Sequence, residues 1–206
     1  MDNIKKISPD APDPGIIKLA GDIIKNGGSV VFPTSCLYGL GVDAFNRDAV
    51  KSLFNIKRRS PEKPVSLMVD KKFDLTGIVQ NIPDSGLLIM ERFWPGKVTI
   101  VFAAKKLVSV DLTAGTGKIG IRAPAHRGAA AFVNAAGCPV TGTSANISGC
   151  GGCSDINQLD PKIAQQVDLI LDAGPLIGGS GSTVVDVTVD PPKILREGSH
   201  NLMINT

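Results

Sequence analysis

The feature that most restricts the fold is a short apolar run closed by a proline. Val30-Val31-Phe32 reads as a buried strand, and Pro33 ends it because proline offers no amide donor to a central ladder. Thr34-Ser35-Cys36 follows, then Leu37, Tyr38, Gly39, Leu40 and Gly41. This segment is expected to be irregular, its glycines permitting close backbone approach. Hydroxyl-bearing loops at the ends of buried strands are where α/β sheets hold ligands. Taken alone, the stretch reads as a strand followed by a tight turn.

The flanking sequence alternates between two periods. Asp13-Pro14 reads as a helix cap with proline at the first helical position, followed by Ile16, Ile17, Ala20, Ile23 and Ile24 on one face. Gly27 and Gly28 close that helix. Asn46 caps a second helix carrying Val50, Leu53 and Phe54, which runs into Lys57-Arg58-Arg59. Strands are expected at 65–69, 98–103, 119–122, from 140, and at 168–172, 183–189 and 193–196. Helices are expected at about 83–93, 129–136 and 161–166. Residues 104–118 read as looser chain. Without a repeat or a linker, this pattern implies one α/β domain of the α+β type over 1–206, with its core at about 10–200. Its sheet should be twisted and mixed, because the last two strands look like a hairpin.

Composition excludes some classes. Charged residues make up 20% and hydrophobic residues 43%, an ordinary globular balance. The net charge of +3 mildly favours anionic partners. Aromatic residues at 4% argue against a stacking platform for single-stranded nucleic acid. The first residues, Met1-Asp2-Asn3-Ile4-Lys5-Lys6, contain no apolar signal segment, and no apolar run is long enough to span a membrane. A reducing cytoplasm with free thiols is therefore expected.

The familiar motifs fail one by one. Ala114-Gly115-Thr116-Gly117-Lys118 resembles the end of a P-loop, but Leu112 stands where its first glycine belongs and Ile119 where Ser or Thr should follow. No dinucleotide-binding glycine fingerprint follows a strand. Cys150-Gly-Gly-Cys153 is half a zinc site; Cys138, and His126 or His200, could extend it, but a structural site shows two paired motifs, so no metal site is assigned. Neither histidine sits beside a nucleophile, and no carboxylates pair for hydrolysis. The polar residues that do concentrate are Lys, Arg, Ser, Thr and Asn, which suit electrostatic stabilisation of phosphate better than proton shuttling. Arg122 and Arg196, each at a strand end, offer forks for carboxylate or phosphate. Ser144-Ala145-Asn146 offers a hydroxyl and an amide; the plain alternative is a polar turn.

Taken in order, these pieces resemble the YrdC-like threonylcarbamoyl-adenylate synthases over almost the whole chain. The matching stretches are Phe32 to Gly41, Lys57-Arg58-Arg59, Phe93-Trp94-Pro95-Gly96 with Thr99, Ile121-Arg122-Ala123-Pro124, Ser144-Ala145-Asn146, Ser182 to Asp186, and Ile194 to Gly198. The resemblance implies a concave basic face and a nucleotidyl transfer: L-threonine, bicarbonate and ATP give threonylcarbamoyl-adenylate and pyrophosphate. Magnesium would accompany the ATP. By the same resemblance Lys57, Arg59, Ser144 and Asn146 are catalytic. Lys63, Lys118 and Arg196 join them on the nucleotide, while Thr34, Cys36, Arg122 and Ser182 face L-threonine. The product would pass to threonylcarbamoyl transferase proteins that modify a tRNA adenosine. Where the family often has an acidic residue, threonine and histidine, this chain has Ser35, Cys36 and Met68. The extra C-terminal domain of some members is expected to be absent. Two other readings compete: a module of the same fold that binds double-stranded RNA or tRNA without chemistry, and a carbamoyl-transfer domain.

Overall fold

The computed structural model describes residues 3–199. His200 lies outside the described residues. In chain order the elements are β1 (Ile4–Lys6), α1 (Pro14–Lys25), β2 (Val30–Pro33), β3 (Tyr38–Gly41), α2 (Arg47–Lys57), β4 (Leu67–Met68), α3 (Asp84–Phe93), β5 (Val98–Ala103), α4 (Val110–Thr113), β6 (Lys118–Arg122), α5 (Arg127–Ala136), β7 (Val140–Thr141), β8 (Thr143–Ser144), α6 (Pro161–Ala164), β9 (Leu169–Asp172), β10 (Thr183–Asp186) and β11 (Lys193–Arg196).

The expected mixed α/β fold forms, with its strands divided between two sheets. One runs β1-β9-β2-β3-β8 and the other β11-β10-β5-β6-β4-β7, each with parallel and antiparallel pairs. The last two strands do pair antiparallel. Alternation along β2 separates two cores. Val30 and Phe32 face α1 and α5, where the Phe32 and Phe132 rings lie 4.9 Å apart. Val31 joins Tyr38, Leu40, Ile100, Phe102 and Ile170 in the larger core.

The capping signals hold at atomic detail. The Asp13 carboxylate accepts from the amides of Gly15 and Ile16, and Asn46 accepts from those of Asp48 and Ala49. The His126 ring accepts from Gly128 N–H at the start of α5.

The stretch after Pro33 differs from the expectation. Tyr38–Gly41 is strand β3, antiparallel to β2, and Pro33 is paired with Tyr38 in that ladder. The turn between them closes through Thr34, whose amide and hydroxyl both donate to Leu37 O. The missing proline donor does no harm to this pair, because the Tyr38 carbonyl accepts from Ala145 N–H at 2.8 Å. Glycine is required in β3 for a packing reason. A Cβ at Gly39 would stand 2.9 Å from the Phe32 ring, and one at Gly41 2.5 Å from Val140. Strand β1 and helix α4 were not expected, and β4 is shorter than 65–69.

The chain crosses between sheets at Gly142. β7 pairs with β4 in one sheet, and β8 pairs with β3 in the other. Gly142 donates to Ser66 O and accepts from the Ser66 hydroxyl. Met68 packs so close that a Cβ here would come within 2.9 Å of it. This crossover brings residues of both sheets to one seam.

Candidate active site

A cleft of about 720 Å³ opens along that seam. One wall is the turn from Thr34 to Leu37, with β3 and the Thr143–Ser144 strand. The other is the surface of β5, β6, β10 and β11, and Arg59 and Pro64–Ser66 close one side. Arg59, Lys97, Lys118, Arg122 and Arg196 line it, against a single lining carboxylate, Asp186, among the described residues.

These cations are held differently. Arg122 ends β6, and its Nη2 donates to the Met68 thioether at 3.8 Å. Burial draws its pKa down to about 10; the nearby Cys36 thiol opposes the shift and Arg196 adds to it. The guanidinium stays charged at neutral pH and meets no carboxylate among the described residues, so it is poised for an anion from outside. Arg196 donates from Nε and Nη2 to Ser182 O and from Nη2 to the Ser182 hydroxyl, which also bonds Thr99 Oγ1 at 2.7 Å. Arg59 donates to the carbonyls of Lys63 and Pro64, fixing the proline-rich corner. Burial lowers the pKa of Arg59 and of Arg196. Lys118 is paired with Asp186 at 2.8 Å. Burial would raise the Asp186 pKa, but bonds from Lys118 and Thr188 outweigh it and hold the carboxyl below its usual value.

Of the residues singled out from sequence, Thr34, Cys36, Arg59, Lys118, Arg122, Ser144, Ser182 and Arg196 line the cleft. Lys57, Lys63 and Asn146 do not. Lys57 is 1% exposed and stands behind the wall. Its ammonium donates to Ser144 O, to Asn146 O at 2.8 Å and to Asn146 Oδ1 at 3.3 Å. Lys63 lies at the rim, tied in by its backbone carbonyl. Asn146 receives the Ser144 hydroxyl on Oδ1 and donates to the carbonyls of Ile147 and Cys150. Thr34 spends its hydroxyl on the turn.

Sequence reading missed Ser66 and Lys97 as cleft residues. Neither stands in a recognisable motif, and only the pairing of β4 and the path after Trp94-Pro95-Gly96 bring them in. The cysteines are free and separate: Cys36 and Cys153 are buried, Cys138 is half-buried and Cys150 exposed. The Cys153 thiol donates to Asp155 O. No three His, Cys, Asp or Glu side chains gather as a metal site among the described residues.

The fold and site define the class: a mixed α/β domain with an open, cation-lined cleft between two sheets, a lining suited to a multiply charged anion. The chain belongs to the Sua5/YciO/YrdC family, whose model, described as telomere recombination, matches residues 22–198. It is similar to the Bacillus subtilis threonylcarbamoyl-AMP synthase, 33% identical over 187 residues, which are 90% of this chain and 54% of that protein. The crystal structure of Pyrococcus abyssi Sua5 complexed with L-threonine superposes with a TM-score of 0.89 at 31% identity, covering 95% of this chain and 57% of that one. Escherichia coli YciO gives 0.87 at 28% identity and covers 98% of each chain. The chain thus spans little more than half of the first two relatives and nearly all of the third.

Proposed function

We propose that the chain is a threonylcarbamoyl-AMP synthase, using L-threonine, bicarbonate and ATP and releasing pyrophosphate. The observation that carries this reading is the set of three arginines, half-buried Arg59 and Arg122 and more exposed Arg196, which line one cleft with no carboxylate partner among the described residues. Kinship with named synthases supports it. The obstacle in this reaction is charge. N-Carboxythreonine is an anion, and its carbamate oxygen attacks the α-phosphorus of a polyanion. The new O–P bond forms as the bond from that phosphorus to the bridging oxygen breaks, and pyrophosphate leaves with the electron pair. Fixed cations lower that barrier without reorganising.

Arg122 takes the threonine carboxylate, with Ser182 beside it and Thr34 and Cys36 forming the amino-acid wall. Arg59, Lys118 and Arg196 receive the phosphates, and Lys63 reaches in from the rim. Ser144, steadied by Asn146, orients the nucleotide. Magnesium enters as part of the substrate Mg-ATP. Asp186, the one carboxylate lining the cleft among the described residues, is already bonded to Lys118 through Oδ2 and to Thr188 through Oδ1. The product is an activated carbamate. It is consumed by a transferase that acylates a tRNA adenosine, in the cytoplasm. No described helix is long and apolar enough to cross a membrane.

The test is pyrophosphate release by the purified chain, omitting one substrate at a time. Release that requires ATP, L-threonine and bicarbonate together, and is lost in Arg59→Ala, supports the reading. Release indifferent to threonine and bicarbonate overturns it. So does salt-sensitive binding of double-stranded RNA with no turnover, which fits the binding-module reading.

A further inference from the structure

Lys57 is a buried cation with no anion. No carboxylate pairs with it among the described residues, and no ligand atom could reach it without displacing the wall of the cleft. An ammonium has three donor hydrogens. Here three acceptors surround it: Ser144 O, Asn146 O and Asn146 Oδ1. The backbone of the same residue grips the same loop, since Lys57 O accepts from Ser148 N–H at 2.8 Å. Lys57 therefore holds the segment 144–148 at both ends from the last turn of α2. The left-handed Arg58 that follows stops the helix there.

What the lysine holds is the part of the wall that bears Ser144. Ala145 N–H bonds Tyr38 O, and Asn146 N–H bonds Ser144 O. The Ser144 hydroxyl is turned by Asn146 Oδ1, itself fixed by Lys57. We infer that Lys57 is a positioning residue: it shapes the nucleotide wall through Ser144 and Asn146 and makes no contact with phosphate. This rests on the nucleotide reading of the cleft. The charged group acting on it is Arg59; burial first, and then Arg59, draws its pKa down to about 8. A neutral amine would keep only two donors for three acceptors, so the grip weakens on the alkaline side.

The two roles differ in what they predict. Affinities of ATP and adenosine are measured by calorimetry for wild type, Lys57→Met, Ser144→Ala and the double variant. If Lys57 acts through the loop, Lys57→Met weakens ATP and adenosine by the same factor, about tenfold. Adding Ser144→Ala to it then costs less than about twofold more, because contacting residues couple. In wild type, both ligands should weaken together as pH passes about 8. A loss confined to ATP, or costs that multiply in the double variant, would show a phosphate contact and overturn the inference. Should Lys57→Met fail to fold, the wild-type pH series decides by the same comparison of ATP with adenosine. Failure of wild type to bind ATP at any pH strikes the nucleotide reading itself, a separate result.

Discussion

Arg122 illustrates how a single residue trades stability for a site. Arg122 is half-buried and meets no carboxylate among the described residues; a desolvated charge without an ion partner is costly, and apolar replacement of such a group commonly stabilises. Arg122→Met should therefore raise the unfolding free energy by about 1–3 kcal/mol, while raising the KM for L-threonine about 100-fold through loss of a charge-assisted contact. A denaturant titration paired with pyrophosphate kinetics checks both; an unchanged KM would remove Arg122 from the amino-acid site. Ser148 is a smaller case. Its hydroxyl is buried without a hydrogen-bond partner among the described residues. Ser148→Ala should leave stability unchanged or raise it by about 1 kcal/mol, read as a shift in urea midpoint. Lys57 gives the pH dependence. Its pKa falls from 10.5 in the unfolded chain to about 8 in the fold. Between those values the unfolded chain binds the proton that the native protein has released. Stability contributed by this group therefore rises with pH from about 8 and is complete above 10.5. Buried Tyr38 and half-buried Cys138, both raised by desolvation, act the other way, Cys138 from about pH 9 upward. The readable quantity is the stability difference between wild type and Lys57→Met. It should move in favour of wild type by up to about 3 kcal/mol between pH 7.5 and 10.5, and a flat difference would mean that the amine is not perturbed.

Helices α1 and α5 meet at a glycine. A Cβ at Gly21 would lie 2.6 Å from Ala135 O, a backbone atom that cannot turn aside. Gly21→Ala should thus force the pair apart and cost about 1–3 kcal/mol, although alanine is the better helix former. Equal or higher stability of the variant in urea would mean that the two helices separate freely. This contact was not legible in the sequence, where Gly21 is one more small residue in an amphipathic helix. Local chemistry was legible: Asp13 and Asn46 cap the helices they were expected to begin. What escaped was decided by tertiary contacts. Gly39 and Gly41 look like loop glycines until the Phe32 ring is seen lying over β3. Ile4-Lys5-Lys6 shows no strand pattern because it is an edge strand, formed only through β9. The division into two sheets follows from the crossover at Gly142, which no local propensity announces. For the same reason Arg122, Ser144 and Arg196 could be picked out by residue type, whereas Lys57 and Arg59 were assigned together through the resemblance of Lys57-Arg58-Arg59 to the family's motif. The burial of Lys57 depends on where loop 144–148 runs.

At the scale of the molecule, the cleft has walls from both sheets, and their connection there is the narrow crossover from β7 to β8. A ligand that spans the cleft adds a second connection. Binding to the native state alone stabilises by about 2.7 kcal/mol at a hundredfold excess over Kd. For a domain of this size that is a rise of about 5–10 °C in Tm. Mg-ATP with L-threonine should produce such a shift, and hydrogen exchange should slow on both walls: in the turn of Thr34–Leu37 and at Thr143–Ser144 on one side, and along β10 and β11 on the other. Arg196 and Ser182 already tie β11 to β10, so protection there reports ligand contact through the guanidinium. Slower exchange on one wall only would mean that the ligand occupies half of the cleft. Threonine and nucleotide would then not be held together for reaction, and the synthase reading would lose its geometric basis even if each bound alone.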